Sequence, residues 1–171
     1  MSKLSLFALS GLWLLASAAM AQTCQTETEV PGSTPSTDFT DHGNGTVTHI
    51  TTGLMWMKCP LGQSGADCAT GNANTYSWQQ ALETADGYSF AGYSDWRLPN
   101  IKELSSLVEQ RCYGPAINLS VFPATPGSFF WSSSPYALYS GNAWYVGFGD
   151  GHANGGNRGG YAHVRLVRSG Q

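Results

Sequence analysis

Cys24, Cys59, Cys68 and Cys112 are the side chains of this sequence best equipped for chemistry. Four cysteines can hold a zinc ion, form a redox pair or close two disulfides. A zinc site calls for C-x-x-C spacing or paired histidines, and neither occurs. An even count behind an export signal reads as two disulfides, with three connectivities open. Cys59 and Cys68 flank the turn-rich run KCPLGQSGADC and form the expected local pair, which leaves Cys24 for Cys112. His42 and His49 lie in a hairpin pattern, where packed or solvated rings are the default. His152 and His163 stand apart in a glycine-rich stretch and make a weak metal signal. Asp41-His42-Gly43-Asn44-Gly45-Thr46 has the outline of a calcium loop. Gly43 stands where a third-position ligand belongs and Thr52 where the closing Glu belongs, so a turn is expected. Met55 and Met57 read as packing residues. No metal and no cofactor is expected.

The second concentration of chemistry lies at residues 139–163, YSGNAWYVGFGDGHANGGNRGGYAH. Eight of these residues are Gly, three are Asn and three are Tyr, while Lys, Glu, Gln, Met, Leu, Ile and Pro are absent. Trp144, Val146 and Phe148 alternate and can face a core. Around them Tyr139, Ser140, Asn142, Tyr145, Asp150, His152, Asn154, Asn157, Arg158, Tyr161 and His163 offer flat aromatic area and hydrogen-bonding groups at low charge. The same mixture builds antibody paratopes. Trp131 and Trp144 on one side and Val164–Arg168 on the other bracket the stretch, so a displayed binding surface is expected rather than a free linker. Most residues present are also reachable from an AAC or AAT codon by changing adenines alone.

These residues need elements to position them. Thr46–His49 and Leu54–Lys58 alternate around Thr52-Gly53 and predict a hairpin with one aromatic face. Ser77 with Gln80 forms a capping box, and Trp78, Ala81, Leu82 and Ala85 make an apolar stripe at helical spacing. Asn100 with Glu103 opens a second helix, with Ile101, Leu104, Leu107 and Val108 inward. Trp96-Arg97-Leu98-Pro99 leads into it. Arg97 beside Glu103 can lock that entry with a charge-assisted bond. A catalytic Arg97 is the sharper alternative, but no nucleophile or base is near in sequence. Strands are expected at 129–132, 143–148 and 162–167. The class is α+β, two helices packed on an irregular, mostly antiparallel sheet.

Residues 1–21 carry Lys3, a short apolar run and Ala19-Met20-Ala21, and read as a secretory signal peptide. Residues 22–37 read as a tail pinned only by Cys24, and 38–171 as one domain. Without the signal, seven basic side chains face eleven acidic ones. With no cluster of Lys or Arg, nucleic-acid binding is not expected, and no later segment is long enough for membrane insertion. The chain is expected to be exported, to the periplasm, the cell surface or the medium.

Several segments together carry a family resemblance: FTDHGNGTVTHITTGLMWMK, YSWQQAL, GYSDWRLPNIKELSSLVE, INLSVFP, FWSSSPY, AWYVGFG and VRLVR. The chain resembles the bacterial Lcl C-terminal-like domain family, which is similar in turn to the formylglycine-generating enzyme branch of the C-type lectin fold. The resemblance implies a C-type lectin-like domain over 38–171. That enzyme branch uses paired cysteines and copper, yet the C-terminal half here has only Cys112. The sugar-binding lectin strings E-P-N, Q-P-D and W-N-D are absent. What remains is calcium-independent binding of an extracellular or surface protein or glycan through 139–163, with no enzyme activity. The segment also resembles the variable region of a diversity-generating-retroelement protein. The alternative is an adhesin for sulphated polysaccharide, which the net negative charge opposes. Trp96, Arg97, Leu98, Pro99, Glu103, Trp131 and Trp144 are assigned to the framework.

Overall fold

A computed structural model describes residues 21–170. Apart from Ala21, the expected signal peptide lies outside the described residues. The elements run β1 (Thr23–Cys24), β2 (Phe39–Asp41), β3 (Thr46–His49), β4 (Leu54–Met57), β5 (Gln63–Ser64), β6 (Thr70–Gly71), β7 (Thr75–Tyr76), α1 (Trp78–Ala85), α2 (Ile101–Ser105), β8 (Cys112–Tyr113), β9 (Phe129–Pro135), β10 (Asn142–Gly147), β11 (His152–Asn157), β12 (Ala162–His163) and β13 (Val167–Ser169). One antiparallel sheet has the order β13-β4-β3-β2 and a second the order β11-β10-β9-β12-β7, in which only the β12–β9 bridge is parallel. The class is therefore α+β, two helices on mostly antiparallel sheets.

Both helices start at the expected caps. Ser77 accepts the Gln80 N–H and Asn100 accepts the Glu103 N–H, and in each case the third residue's side chain returns to the cap's own N–H. These reciprocal bonds satisfy donors that a short helix would otherwise leave open. The helices serve different cores. Ala81 and Ala85 of α1 pack with Met55, Met57, Trp96, Leu98, Trp131, Val164 and Leu166. Leu104 of α2 packs with Trp56, Leu107, Phe122, Phe130, Val146 and Phe148. Neighbours Met55 and Trp56, and Phe130 and Trp131, point to opposite faces of their strands, so the sheets are buried on both sides. The first hairpin has its aromatic residue, Trp56, on one face and Met55 and Met57 on the other, so β4 feeds both cores.

Trp96-Arg97-Leu98-Pro99 joins the two sheets. Arg97 exchanges backbone bonds with Val167 of β13, and the Pro99 carbonyl accepts the Ser133 N–H of β9 at 2.7 Å. Trp96 is 3% exposed, and its indole N–H donates to the Phe90 carbonyl at 3.0 Å. The Arg97 guanidinium grips Glu103 with two bonds of 2.8 Å. The Arg97 side chain is 43% exposed and that of Glu103 16%, so this framework pair lies at the surface rather than in the core.

The disulfides are Cys24–Cys112 and Cys59–Cys68. The N-terminal segment is held by more than its cysteine, contrary to expectation. β1 pairs with β8, and the Gln22 amide donates to the Pro115 and Ile117 carbonyls. The buried Glu109 carboxylate accepts the backbone N–H groups of Ser33, Thr34 and Arg111. The strand expected over 162–167 is also divided. Val164, Arg165 and Leu166 turn inward between β12 and β13, and all three are fully buried.

Candidate ligand-binding surface

Most of residues 139–163 is a β-hairpin and not a loop. β10 and β11 pair in register, with Tyr145 opposite Asn154 and Trp144 opposite Gly155. β11 was missed in the sequence because HANGGN has no apolar alternation and two consecutive glycines, both signals against a strand. It forms because it is the sheet edge, with β10 supplying its bonds. Its outward Gly155 N–H is capped locally by the Asn154 side-chain oxygen at 2.7 Å.

The two glycines have a steric cause. A Cβ on Gly155 would lie 2.6 Å from the Tyr136 ring, and one on Gly156 would lie 2.9 Å from Tyr145 and 3.3 Å from Trp131. Aromatic rings thus press on β11 from both faces, because successive residues point to opposite sides. Gly151, at φ +82°, closes the turn, where a Cβ would meet Val108 at 2.6 Å. At Gly155 and Gly156 the chain's own tyrosines therefore take the space that the missing side chains leave.

What the hairpin displays falls into two groups. On one face Phe129 lies 4.6 Å from Tyr145, with the His152 ring 5.9 Å from Tyr145 and 6.3 Å from Phe129. Asn154 projects beside Tyr145, and His152 bonds Asp150. That contact holds the Asp150 carboxyl below its ordinary range. On the other face Tyr136 meets Trp144 at 4.6 Å and stacks near Tyr139 at 6.3 Å. Trp144 was expected in the core. It is half-buried instead, because Tyr136 fills the position beyond it. Tyr139 and Tyr161 are 66% and 68% exposed, and Ser140, Asp150, His152, Asn154 and Asn157 are exposed as well.

Three of the sequence-predicted residues turn inward. Arg158 lies 4.3 Å over the Trp78 ring and donates to the Asn142 carbonyl, so Arg158 and Asn142 tie the hairpin to the start of α1. His163 is half-buried 5.2 Å from Phe130 and bonds the Asn74 carbonyl at 3.1 Å. Burial lowers its pKa, and it is not brought to the hairpin faces. Phe129, Tyr136 and Leu138 join the display without having been singled out. The run PYALY was the available signal, since aromatics beside turn residues seldom lie in a core. Among the described residues no three His, Cys, Asp or Glu side chains converge as a metal centre requires.

A model of the Lcl C-terminal domain matches residues 45–168, more than half of the chain. No curated protein matches it.

Proposed function

This chain belongs to the Lcl C-terminal domain family, and from that premise we propose that it is an exported protein that binds an extracellular or surface partner, without covalent chemistry, through the surface formed by the β10–β11 hairpin and the segments that flank it. The observation that carries this reading is the set of exposed aromatics on a rigid support. Phe129, Tyr139 and Tyr161 are large apolar side chains left largely open to solvent, while the strand beneath is clamped by Tyr136 and Tyr145. Tyr side chains combine contact area with a polar tip and lose little freedom on binding. Asn154, Asn157, Asp150 and Ser140 add donors and acceptors. Such exposed groups suit a protein or a neutral glycan better than a small buried substrate, which needs convergent polar groups in a pocket.

Two further features support it. All four cysteines are in disulfides, which cross-link the scaffold beneath the surface. No helix among the described residues is long and apolar enough to cross a membrane, and two disulfides suit an oxidising compartment. The test is a glycan and protein-ligand array probed with the protein and with a Tyr139→Ser/Asn154→Ala/Tyr161→Ser variant. Each of the three surface substitutions should change stability by no more than about 0.5 kcal/mol, and the variant should lose binding at least tenfold. Unchanged binding by a folded variant overturns the reading.

We further propose that the hairpin is a diversified surface. If it is, sibling copies of the segment differ at Tyr139, Asp150, His152, Asn154, Asn157 and Tyr161 and keep Gly151, Gly155 and Gly156, where a Cβ has no room. Sequencing the DNA around the gene checks this. A nearby reverse-transcriptase gene with an adenine-substituted near-copy supports it, and substitutions spread evenly over the segment, glycines included, contradict it.

A further inference from the structure

A recess of about 400 Å³ lies outside the hairpin, walled by the β2–β3 turn, the end of β4, the Cys59–Cys68 loop and Phe90. We propose that it binds one uncharged sugar ring, a second site that shares no residue with the hairpin surface.

Its walls have distinct roles. Met57, Cys59 and Phe90 supply apolar area. Phe90 is held in place because its ring lies over Gly45, where a Cβ would come within 2.8 Å of the ring and φ is +87°. The disulfide closes the loop that brings Gln63, Ser64, Gly65 and Ala66 to the opposite wall. The recess is thus built by cross-links and steric contacts and does not depend on a ligand to order it.

The polar groups are matched in charge. Lys58 and Asp41 pair at 2.7 Å, so the rim carries no net charge for an anion or a cation to exploit. The Asn44 side-chain oxygen is taken by the Thr46 N–H and hydroxyl at 3.2 and 2.7 Å, which leaves its amide nitrogen as a donor. The Lys58 ammonium has three donor protons and spends one on Asp41. The Gln63 side-chain oxygen is buried without a partner, and rotation of that amide toward the recess would give it one. A ligand for this rim must both donate and accept at several points and also present an apolar face to Phe90. Hydroxyl groups do both, and a sugar ring carries several around a C–H face. A purely apolar ligand would leave the amides unpaired, at a penalty. The volume lies at the small end of ligand sites and fits a single ring.

The test is a set of ¹H–¹⁵N spectra of the disulfide-intact protein titrated with the methyl glycosides of glucose, galactose, mannose and N-acetylglucosamine, and separately with sodium sulfate. A single-ring ligand binds in the millimolar range, so titration runs to roughly 50 mM. At least one glycoside should shift and saturate the Gly43, Gly45 and Gly65 amides and the Asn44 and Gln63 side-chain amides. Ala66→Trp, an exposed substitution that fills the mouth, should abolish those shifts, and Gln63→Ala should weaken them severalfold, both with native spectra elsewhere. The proposal is overturned if no glycoside shifts these signals, if Ala66→Trp leaves the shifts intact, or if sulfate alone produces them. Glycoside shifts confined to residues 139–161 also overturn it while leaving the hairpin reading standing.

Discussion

At Gly155 and Gly156 the missing side chain is what the structure requires, because Tyr136 and Tyr145 occupy the space of a Cβ. Gly155→Ala and Gly156→Ala should each destabilise the protein by about 1–3 kcal/mol, the usual effect of forcing an extra methyl into a filled site. Gly141→Ala is the control, with nothing within 4 Å of its added Cβ, and should stay within about 0.5 kcal/mol. Urea denaturation of the three variants decides it, and equal effects would mean that the rings yield freely. Arg165 makes a different demand. It is fully buried with no carboxylate beside it, and burial pulls its pKa down to about 9, so it remains a cation at neutral pH. Its guanidinium donates to the Met57 and Lys58 carbonyls and the Thr125 hydroxyl, and lies 4.7 Å over Phe122. These bonds join the end of β4 to the turn after Phe122. Arg165→Ala should cost about 2–5 kcal/mol through the cavity and three stranded acceptors. Arg165→Lys should recover little, since an ammonium cannot reproduce the planar fork. Full recovery by Lys in the same denaturation experiment would show that charge alone matters there.

Among the elements, the N-terminal segment depends most on one side chain outside it. Burial alone would raise the Glu109 pKa, but the N–H groups of Thr34, Ser33 and Arg111 and the Thr34 hydroxyl outweigh burial and hold it below the ordinary value. A carboxyl lowered on folding contributes stability above its unfolded pKa, near 4.5, and loses it as pH falls through the lower folded value. Glu109→Gln places an amide donor against backbone donors and should cost about 1–3 kcal/mol at pH 7. The deficit relative to the parent should shrink below pH 4.5. Limited proteolysis should then cut between residues 25 and 37 in the variant and at low pH in the parent. Equal resistance at both pH values would assign the anchoring to Cys24–Cys112. The sequence showed the two capping boxes, because Ser77/Gln80 and Asn100/Glu103 are local in register. It hid the Glu109 cradle, whose partners lie 75 and 76 residues away. It hid β11 for a related reason, since an edge strand draws its bonds from β10 and its packing from Tyr136 and Tyr145. The unusual composition of residues 139–163 was legible, and the assignment of each residue to face or framework came only from cross-strand register.

Over the whole molecule, charge separates what the hairpin reading and a sulphated-polysaccharide adhesin predict. Seven basic side chains lie in the described residues, and six are engaged. Lys58 pairs with Asp41, Arg97 with Glu103, Arg111 with Glu27 and Arg168 with Asp95. Arg165 is sealed in the core, and Arg158 is spent on Trp78 and Asn142. Lys102 alone is exposed without an ion-pair partner among the described residues, on the outer side of α2. A polyanion needs several cations close enough to act together, and one solvated Lys contributes little at physiological ionic strength, where exposed charges are screened beyond about 8 Å. Binding elsewhere would require breaking existing pairs. On a heparin column the protein should therefore elute below roughly 0.15 M salt, where screening already limits surface attraction, and Lys102→Ala should change little. Retention beyond about 0.3 M salt, with a screening length of roughly 5–6 Å, would show that the paired arginines are recruited to a polyanion. In that event Arg97→Ala and Arg111→Ala should reduce retention, and the adhesin reading would replace the neutral-partner reading of the hairpin.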